Sequence, residues 1–164
     1  MTFEFPGFRQ APSHVELIAA DSRAKGPCVA PVEGNIVAIE LTMLAWTAAL
    51  CVVLAMPYTL GLIADRGLST MAGNRDGLAP ASGWISRAQR AHANLVENMA
   101  PFAALLLAVV VANRTSPTTA IAAQLFFYAR AAHAVIYIVG IPWLRSLAWG
   151  LGVVAMVMLF AALM

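Results

Sequence analysis

Polar side chains recur at helical spacing between residues 87 and 97, in a chain that is otherwise strongly apolar. Arg87, Arg90, Asn94 and Glu97 follow one another at intervals of three, four and three positions. This spacing places them within an arc of roughly 80° on one face of a helix. Two cations, an amide and a carboxylate along one face have the chemistry to pair with charged groups.

A second polar stripe predicts another functional face further along the chain. Arg130, His133 and Tyr137 repeat the spacing of three and four, so they also share one narrow stripe of a helix. Arg145 and Ser146 then open the last apolar segment. An arginine in the middle of a membrane helix costs roughly 2.5–3.5 kcal/mol on insertion scales, so these residues are expected to pair or to bind something.

The cations of these stripes outnumber the acidic groups near them. Five arginines fall at or near one membrane interface: Arg66, Arg87, Arg90, Arg130 and Arg145. They face Glu97 and, in the loop, Asp65 or Asp76. The excess positive charge predicts an anionic ligand. Two alternatives stay open: ion pairs that only join helices, and arginines that reach toward lipid phosphates.

Composition predicts that helices crossing a membrane position these stripes. The chain has 164 residues, of which 61% are hydrophobic and 11% charged, whereas soluble domains carry about 25% charged residues. Each span needs roughly 20 apolar residues, so the length allows four. A formal net charge of +2 with no basic cluster argues against nucleic acid as a partner. Cys28 and Cys51 make neither a disulfide framework nor a metal site.

The apolar runs, interrupted by glycine and proline, divide the chain into a tail and one domain. Residues 1–34 are predicted to form an extramembrane N-terminal tail, and residues 35–164 an all-α, four-helix transmembrane domain. The four predicted spans cover about 36–63, 82 or 84–112, 118–139 and 142–164. Residues 64–83 are predicted to be an irregular loop.

The distribution of basic residues predicts how the bundle is oriented. The loop side carries Arg66, Arg75, Arg87 and Arg145, and the opposite side carries Arg23, Lys25 and Arg114. The positive-inside rule then places the long loop in the cytoplasm and both termini outside. We expect an integral, multi-pass protein of a bacterial inner membrane or an equivalent membrane, with the arginine-rich end facing the cytoplasm.

Two segments resemble one known family in order, spacing and topology. RAQRAHANLVENMAPF (87–102) is similar to the signature of the membrane-associated proteins in eicosanoid and glutathione metabolism, the MAPEG family. ARAAHAVIYIVGIPWLRS (129–146) is similar to the third helix and following turn of that family. The family includes microsomal glutathione transferases, prostaglandin E synthase and leukotriene synthase. The resemblance covers roughly residues 36–164.

The resemblance implies a homotrimer that binds glutathione between neighbouring subunits near the cytoplasmic face. Arg90, Asn94 and Glu97 stand where members hold the tripeptide, Arg90 against a carboxylate and Glu97 against the amino group. His133 and Tyr137 occupy the matching stripe of the third helix. The same glutathione-binding set includes Arg87 and Arg130.

Arg145 stands where catalytic members carry an arginine beside the glutathione sulfur. A thiol has an ordinary pKa of about 8.5, so a fixed cation beside it favours the nucleophilic thiolate. Ser146 either donates to the sulfur or caps the fourth helix. Trp149 is expected to pack against lipid or a neighbour, and it replaces an aromatic hydroxyl found in some members. Ala93 replaces an arginine that some members carry.

The sequence therefore predicts a glutathione-dependent membrane enzyme. It would transfer the thiol to a lipophilic electrophile or reduce a lipid hydroperoxide, with glutathione as co-substrate and no metal. Its partners would be other copies of the chain, a lipophilic small molecule and membrane lipid. The alternative is a non-catalytic member of the same family that binds lipid or presents it to a partner.

Overall fold

The structure, a computed structural model, describes residues 38–164 of the protein. The predicted tail at residues 1–34 lies outside the described residues. The described chain forms five helices: α1 (Ile39–Arg66), α2 (Leu68–Ala72), α3 (Gly83–Val111), α4 (Pro117–Val139) and α5 (Pro142–Leu163). All except α2 are long and apolar enough to cross a membrane. The prediction of an all-α protein with four spanning helices is confirmed.

Local sequence explains where α4 begins and ends. Ser116 and Thr119 form a capping box, in which each side chain bonds the other's backbone N–H, and Pro117 occupies the first turn. Gly140 ends the helix with φ of 96°, a left-handed conformation that glycine adopts without steric cost. Pro142 then begins α5. The turn between α4 and α5 is therefore tight, and the two helices run antiparallel.

The connection after α1 differs from the predicted irregular loop. α1 continues to Arg66, and Gly67, with φ of 83°, separates it from the short helix α2. Met71 of α2 is buried, and its carbonyl accepts a hydrogen bond of 2.7 Å from Arg75 Nε. Arg66 donates to the carbonyl of Ala79. One apolar anchor and these arginine–carbonyl bonds give the segment order that its glycine-rich composition did not predict.

The half of the bundle nearest the C-terminus of α3 has an apolar core. Phe102 of α3 and Phe126 of α4 are buried and stack with ring centroids 3.7 Å apart. At the same end the buried carboxylate of Glu40 accepts a 2.7 Å hydrogen bond from the Thr119 hydroxyl. The opposite half, where α3 and α5 begin and α4 ends, contains the polar stripes.

Candidate functional site

A cleft of about 210 Å³ opens between α3, α4 and α5 in the polar half of the bundle. Its lining residues are Asn94, His133, Tyr137, Arg145, Ser146 and Trp149. Five of the nine predicted site residues therefore share one cleft, although three different helices carry them. No residue of this lining is acidic, so Arg145 gives the cleft a positive charge.

Aromatic side chains support the cationic side of the cleft. The guanidinium carbon of Arg145 lies 4.8 Å from the centroid of the Tyr137 ring, within the range of a cation–π contact. The rings of Tyr137 and His133 meet edge to face at 5.4 Å. Among residues 38–164 no carboxylate pairs with Arg145. Its N–H groups therefore remain available to a ligand that carries negative charge.

Arg130 lies behind the cleft rather than in its lining. Its side chain is only 1% exposed. Nη1 donates to Asn94 Oδ1 at 3.0 Å, and Nη2 donates to Asn98 Oδ1 at 3.1 Å. The guanidinium also lies over the Phe126 ring at 5.2 Å. The structure thus connects this arginine to the cleft through Asn94.

The remaining predicted residues lie elsewhere on α3. Arg87 Nε donates to the carbonyl of Ile138 at 2.8 Å, close to the C-terminus of α4. Arg90 and Glu97 are exposed, and neither forms an ion pair within the described residues. Of the four predicted residues on the polar face of α3, only Arg87 and Asn94 form hydrogen bonds with α4. Arg90 and Glu97 lie on the other edge of that face and point away from this protomer's bundle.

A comparison with family models identifies the family of the chain. The model described as "MAPEG family" matches residues 42–164, which is three quarters of the chain and includes three spans and nearly all of the first. The chain belongs to the MAPEG family. No curated protein and no solved structure matches it. The MAPEG family includes enzymes and non-catalytic members, so membership establishes a multi-pass membrane protein and leaves its activity to the site.

One expectation about the edge of the cleft needs correction, while the one for Trp149 stays a prediction. Trp149 lines the cleft and is exposed there, so its indole can still pack against lipid or a neighbour. Ser146 does not cap α5, because the N-cap is Ile141 and no side chain bonds there. The Ser146 hydroxyl instead donates to the carbonyl of Pro142 at 3.3 Å. Because α5 begins at Pro142, as predicted, Ser146 is its fifth residue and lies past the cap position, where it lines the cleft.

Asn98 and Gly152 were not predicted from the sequence. Asn98 accepts a hydrogen bond from Arg130, and Gly152 lies where a side chain would collide with the guanidinium. Asn98 follows Asn94 by one helical turn, so the 3.6-residue period already placed it near the same face. Nothing in the sequence marked Gly152, because its role depends on how α5 packs against α4. One amino-acid sequence does not show which residues of two helices pack against each other.

His92 belongs to a separate polar cluster on the other side of α3. Its Nε2 lies 3.6 Å from Cys51 Sγ, and its Nδ1 lies 3.4 Å from the Tyr58 hydroxyl. Both partners are on α1. His92 therefore faces α1 and points away from the stripe that carries Asn94.

Within residues 38–164, the arginines in and behind the cleft have no acidic partners. The one ion pair there joins Arg66 and Asp65 at 3.6 Å. No group of histidine, cysteine, aspartate or glutamate in this part of the chain is arranged to hold a metal ion. The geometry provides donors and positive charge, which suit an organic anion.

Proposed function

We propose that this protein is a glutathione-dependent membrane enzyme, either a glutathione transferase or a peroxidase. The observation that carries the proposal is the single cleft that joins Arg145 to the neutral polar side chains of Asn94, His133 and Tyr137. Glutathione offers two carboxylates, amide carbonyls and a thiol, which are acceptors and a titratable group for such a set of donors.

Arg145 is proposed to stabilise the glutathione thiolate. A thiol with an ordinary pKa of about 8.5 is mostly protonated at neutral pH, and a cation beside the sulfur favours its ionised form. The thiolate then attacks an electrophilic carbon: a carbon–sulfur bond forms, the leaving group departs with its bonding electrons, and the thiol proton goes to solvent. Ser146 is proposed to donate a hydrogen bond to the sulfur, for which its hydroxyl would turn away from the Pro142 carbonyl.

With a lipid hydroperoxide the same thiolate would attack the terminal peroxide oxygen. The oxygen–oxygen bond breaks, the lipid leaves as an alkoxide that takes a proton from solvent to become an alcohol, and the sulfur becomes a sulfenic acid. A second glutathione then displaces water and forms the disulfide. Both reactions need the same activated sulfur, so one site serves either substrate class.

The exposed edge of α3 supports assembly into a homotrimer. Glu97 lies at the midpoint of α3 and is exposed on the single chain, where contact with lipid would be costly. A neighbouring copy that covers Glu97 and Arg90 removes that cost. The cleft of about 210 Å³ is also below the roughly 300 Å³ at which ligand pockets begin. A second copy would complete it, with Arg90 and Glu97 binding the charged ends of glutathione and Arg87 and Arg130 supporting them.

The proposed orientation places the cleft at the cytoplasmic face of a bacterial inner membrane or an equivalent membrane. Soluble glutathione would then enter from the cytoplasm, while the lipophilic substrate arrives laterally through lipid. No metal is required, because Arg145 supplies the positive charge.

Purified protein in detergent tests this proposal with two measurements. Calorimetry should show binding of reduced glutathione, and conjugation of a generic aryl halide should require glutathione. S-methyl glutathione, which lacks a free thiol, should bind without turnover. Absence of heat with glutathione, together with binding of a fatty acid, would replace the proposal with the non-catalytic, lipid-binding alternative.

A further inference from the structure

Arg130 is a buried cation without a counterion in the part of the chain that the structure describes. Its Nε has no hydrogen-bond partner, and its two hydrogen bonds go to neutral amide oxygens. No carboxylate within residues 38–164 pairs with it. Burying an unpaired charge is costly. The residues around Arg130 must therefore hold its guanidinium in place.

Arg130 determines which way the Asn94 amide points. A guanidinium has only donors, so the Asn94 atom facing it must be the oxygen. The NH2 group occupies the other branch of the amide. Nδ2 makes no hydrogen bond within the described residues and is not among the buried atoms that lack a partner. Because Asn94 lines the cleft, its NH2 is an accessible donor there.

Asn98, one helical turn after Asn94, also holds the Arg130 guanidinium against Asn94. Its Oδ1 accepts from Arg130 Nη2 at 3.1 Å, and its Nδ2 donates to the backbone carbonyl of Asn94 at 2.8 Å. One amide therefore bridges the guanidinium and the helix turn that carries Asn94. Neither bond can form if the amide is reversed.

Gly152 leaves the space that the guanidinium occupies. A Cβ atom at this position would lie 2.7 Å from Nη2, 2.9 Å from Nε and 3.0 Å from Cζ of Arg130. Side chains essentially never approach so closely, so any larger residue would displace the guanidinium. Gly150, in the same helix, has nothing within 4 Å of its Cβ position.

We propose that Asn98 and Gly152 are positioning residues of the cleft. They hold Arg130 so that the Asn94 amide donates into the cleft and selects a ligand with an acceptor, a carboxylate or carbonyl oxygen, at that point. The inference rests on the proposed function only in naming glutathione as that ligand. The orientation of Asn94 itself is independent of the ligand's identity.

The test compares Gly152→Ala with Gly150→Ala in detergent-solubilised protein labelled with 15N-asparagine. The side-chain amide signal of Asn94, assigned by its loss in Asn94→Ala, should move in Gly152→Ala and stay in place in Gly150→Ala. The dissociation constant and KM for glutathione should rise about tenfold, as expected for loss of a hydrogen bond to a charged group, while kcat changes less than twofold. Asn98→Leu should reproduce this pattern if Gly152→Ala does not fold.

The outcomes separate this inference from the proposed function. An Asn94 signal that is unchanged in Gly152→Ala and Asn98→Leu overturns the inference, whatever the protein binds. A moved signal with unchanged glutathione affinity also overturns it, because the amide would then not contact the ligand. If the wild-type protein binds no glutathione but the signal moves, the proposed function fails and the orienting role of Asn98 and Gly152 stands.

Discussion

Two polar clusters lie on either side of α3, and they differ in charge and surroundings. One joins Arg130 to two asparagines beside an open cleft. The other joins His92 to Cys51 and Tyr58 of α1. Both place polar side chains inside a membrane-spanning bundle, where such groups need partners.

The second cluster is balanced within itself, whereas the first is not. Thiol, imidazole and phenol can each be neutral, and His92 has a partner at both ring nitrogens. Arg130 carries a full charge and keeps one N–H without a partner. A neutral cluster is sufficient to hold two helices together. A charged cluster beside a cationic cleft is what an anionic ligand would require, and the following variants test that contrast.

The largest effect is expected from Arg145→Ala, on the charged side. Turnover with an aryl halide should fall at least about 100-fold, the usual effect of removing one group that stabilises developing charge. Glutathione should still bind, because Asn94, His133 and Tyr137 remain. The pH at which residual turnover is half-maximal should rise toward the ordinary thiol pKa of about 8.5.

Arg114→Ala is the matched control for Arg145→Ala, since Arg114 is exposed at the opposite end of the bundle. Its turnover and pH profile should equal those of the wild type. Full activity in Arg145→Ala would remove the role assigned to this arginine.

Arg130→Met should have the next largest effect. It removes two charge-assisted hydrogen bonds and frees the Asn94 amide, so glutathione affinity should fall roughly 10- to 100-fold by calorimetry. Replacing a buried charge with an apolar side chain of similar volume is often neutral or stabilising. The thermal unfolding temperature in detergent should therefore change little. Loss of glutathione binding without loss of stability would show that the buried charge serves binding and not folding.

His92→Phe tests the neutral side of the contrast. Interhelical hydrogen bonds in membranes average about 0.6 kcal/mol, so stability should fall by about 1 kcal/mol for two contacts. Glutathione affinity and turnover should remain within twofold of wild type. A tenfold loss of turnover in well-folded His92→Phe would mean that both clusters serve the reaction, and the contrast would not hold.

Cys51→Ala should have the smallest effect of the four. The sulfur lies 3.6 Å from His92, and thiols are weak hydrogen-bond partners. We expect a change in stability below about 0.5 kcal/mol and no change in turnover. Protection of Cys51 from alkylation by bound glutathione would instead connect this thiol to the cleft.

The fold was predictable to the extent that it depends on local composition. Apolar runs separated by glycine and proline gave four spans, because lipid requires long helices. The short helix α2 was missed, since its order comes from the burial of Met71 and from arginine–carbonyl bonds across the loop. Those contacts join residues that carry no periodic pattern.

The site was predictable only as far as helical periodicity reaches. Spacing placed Asn94 and Glu97 on one face, but it did not show that α4 covers Asn94 and leaves Glu97 exposed. It also gave no sign of Gly152, whose importance lies in the atoms it leaves room for. Which edge of a polar face is covered depends on helix packing, which one sequence does not reveal.

The hydrogen bond between Glu40 and Thr119 has a consequence for how the chain is made. The two residues are 79 positions apart, so Glu40 leaves the ribosome well before its partner does. At about 5–20 residues per second that interval is roughly 4–16 s. During it, the first span must keep its acidic end hydrated at the membrane surface. Glu40 thus gains its buried hydrogen-bond partner only when the third span is made, whereas the contacts of α1 with His92 can form as soon as the second span is in place.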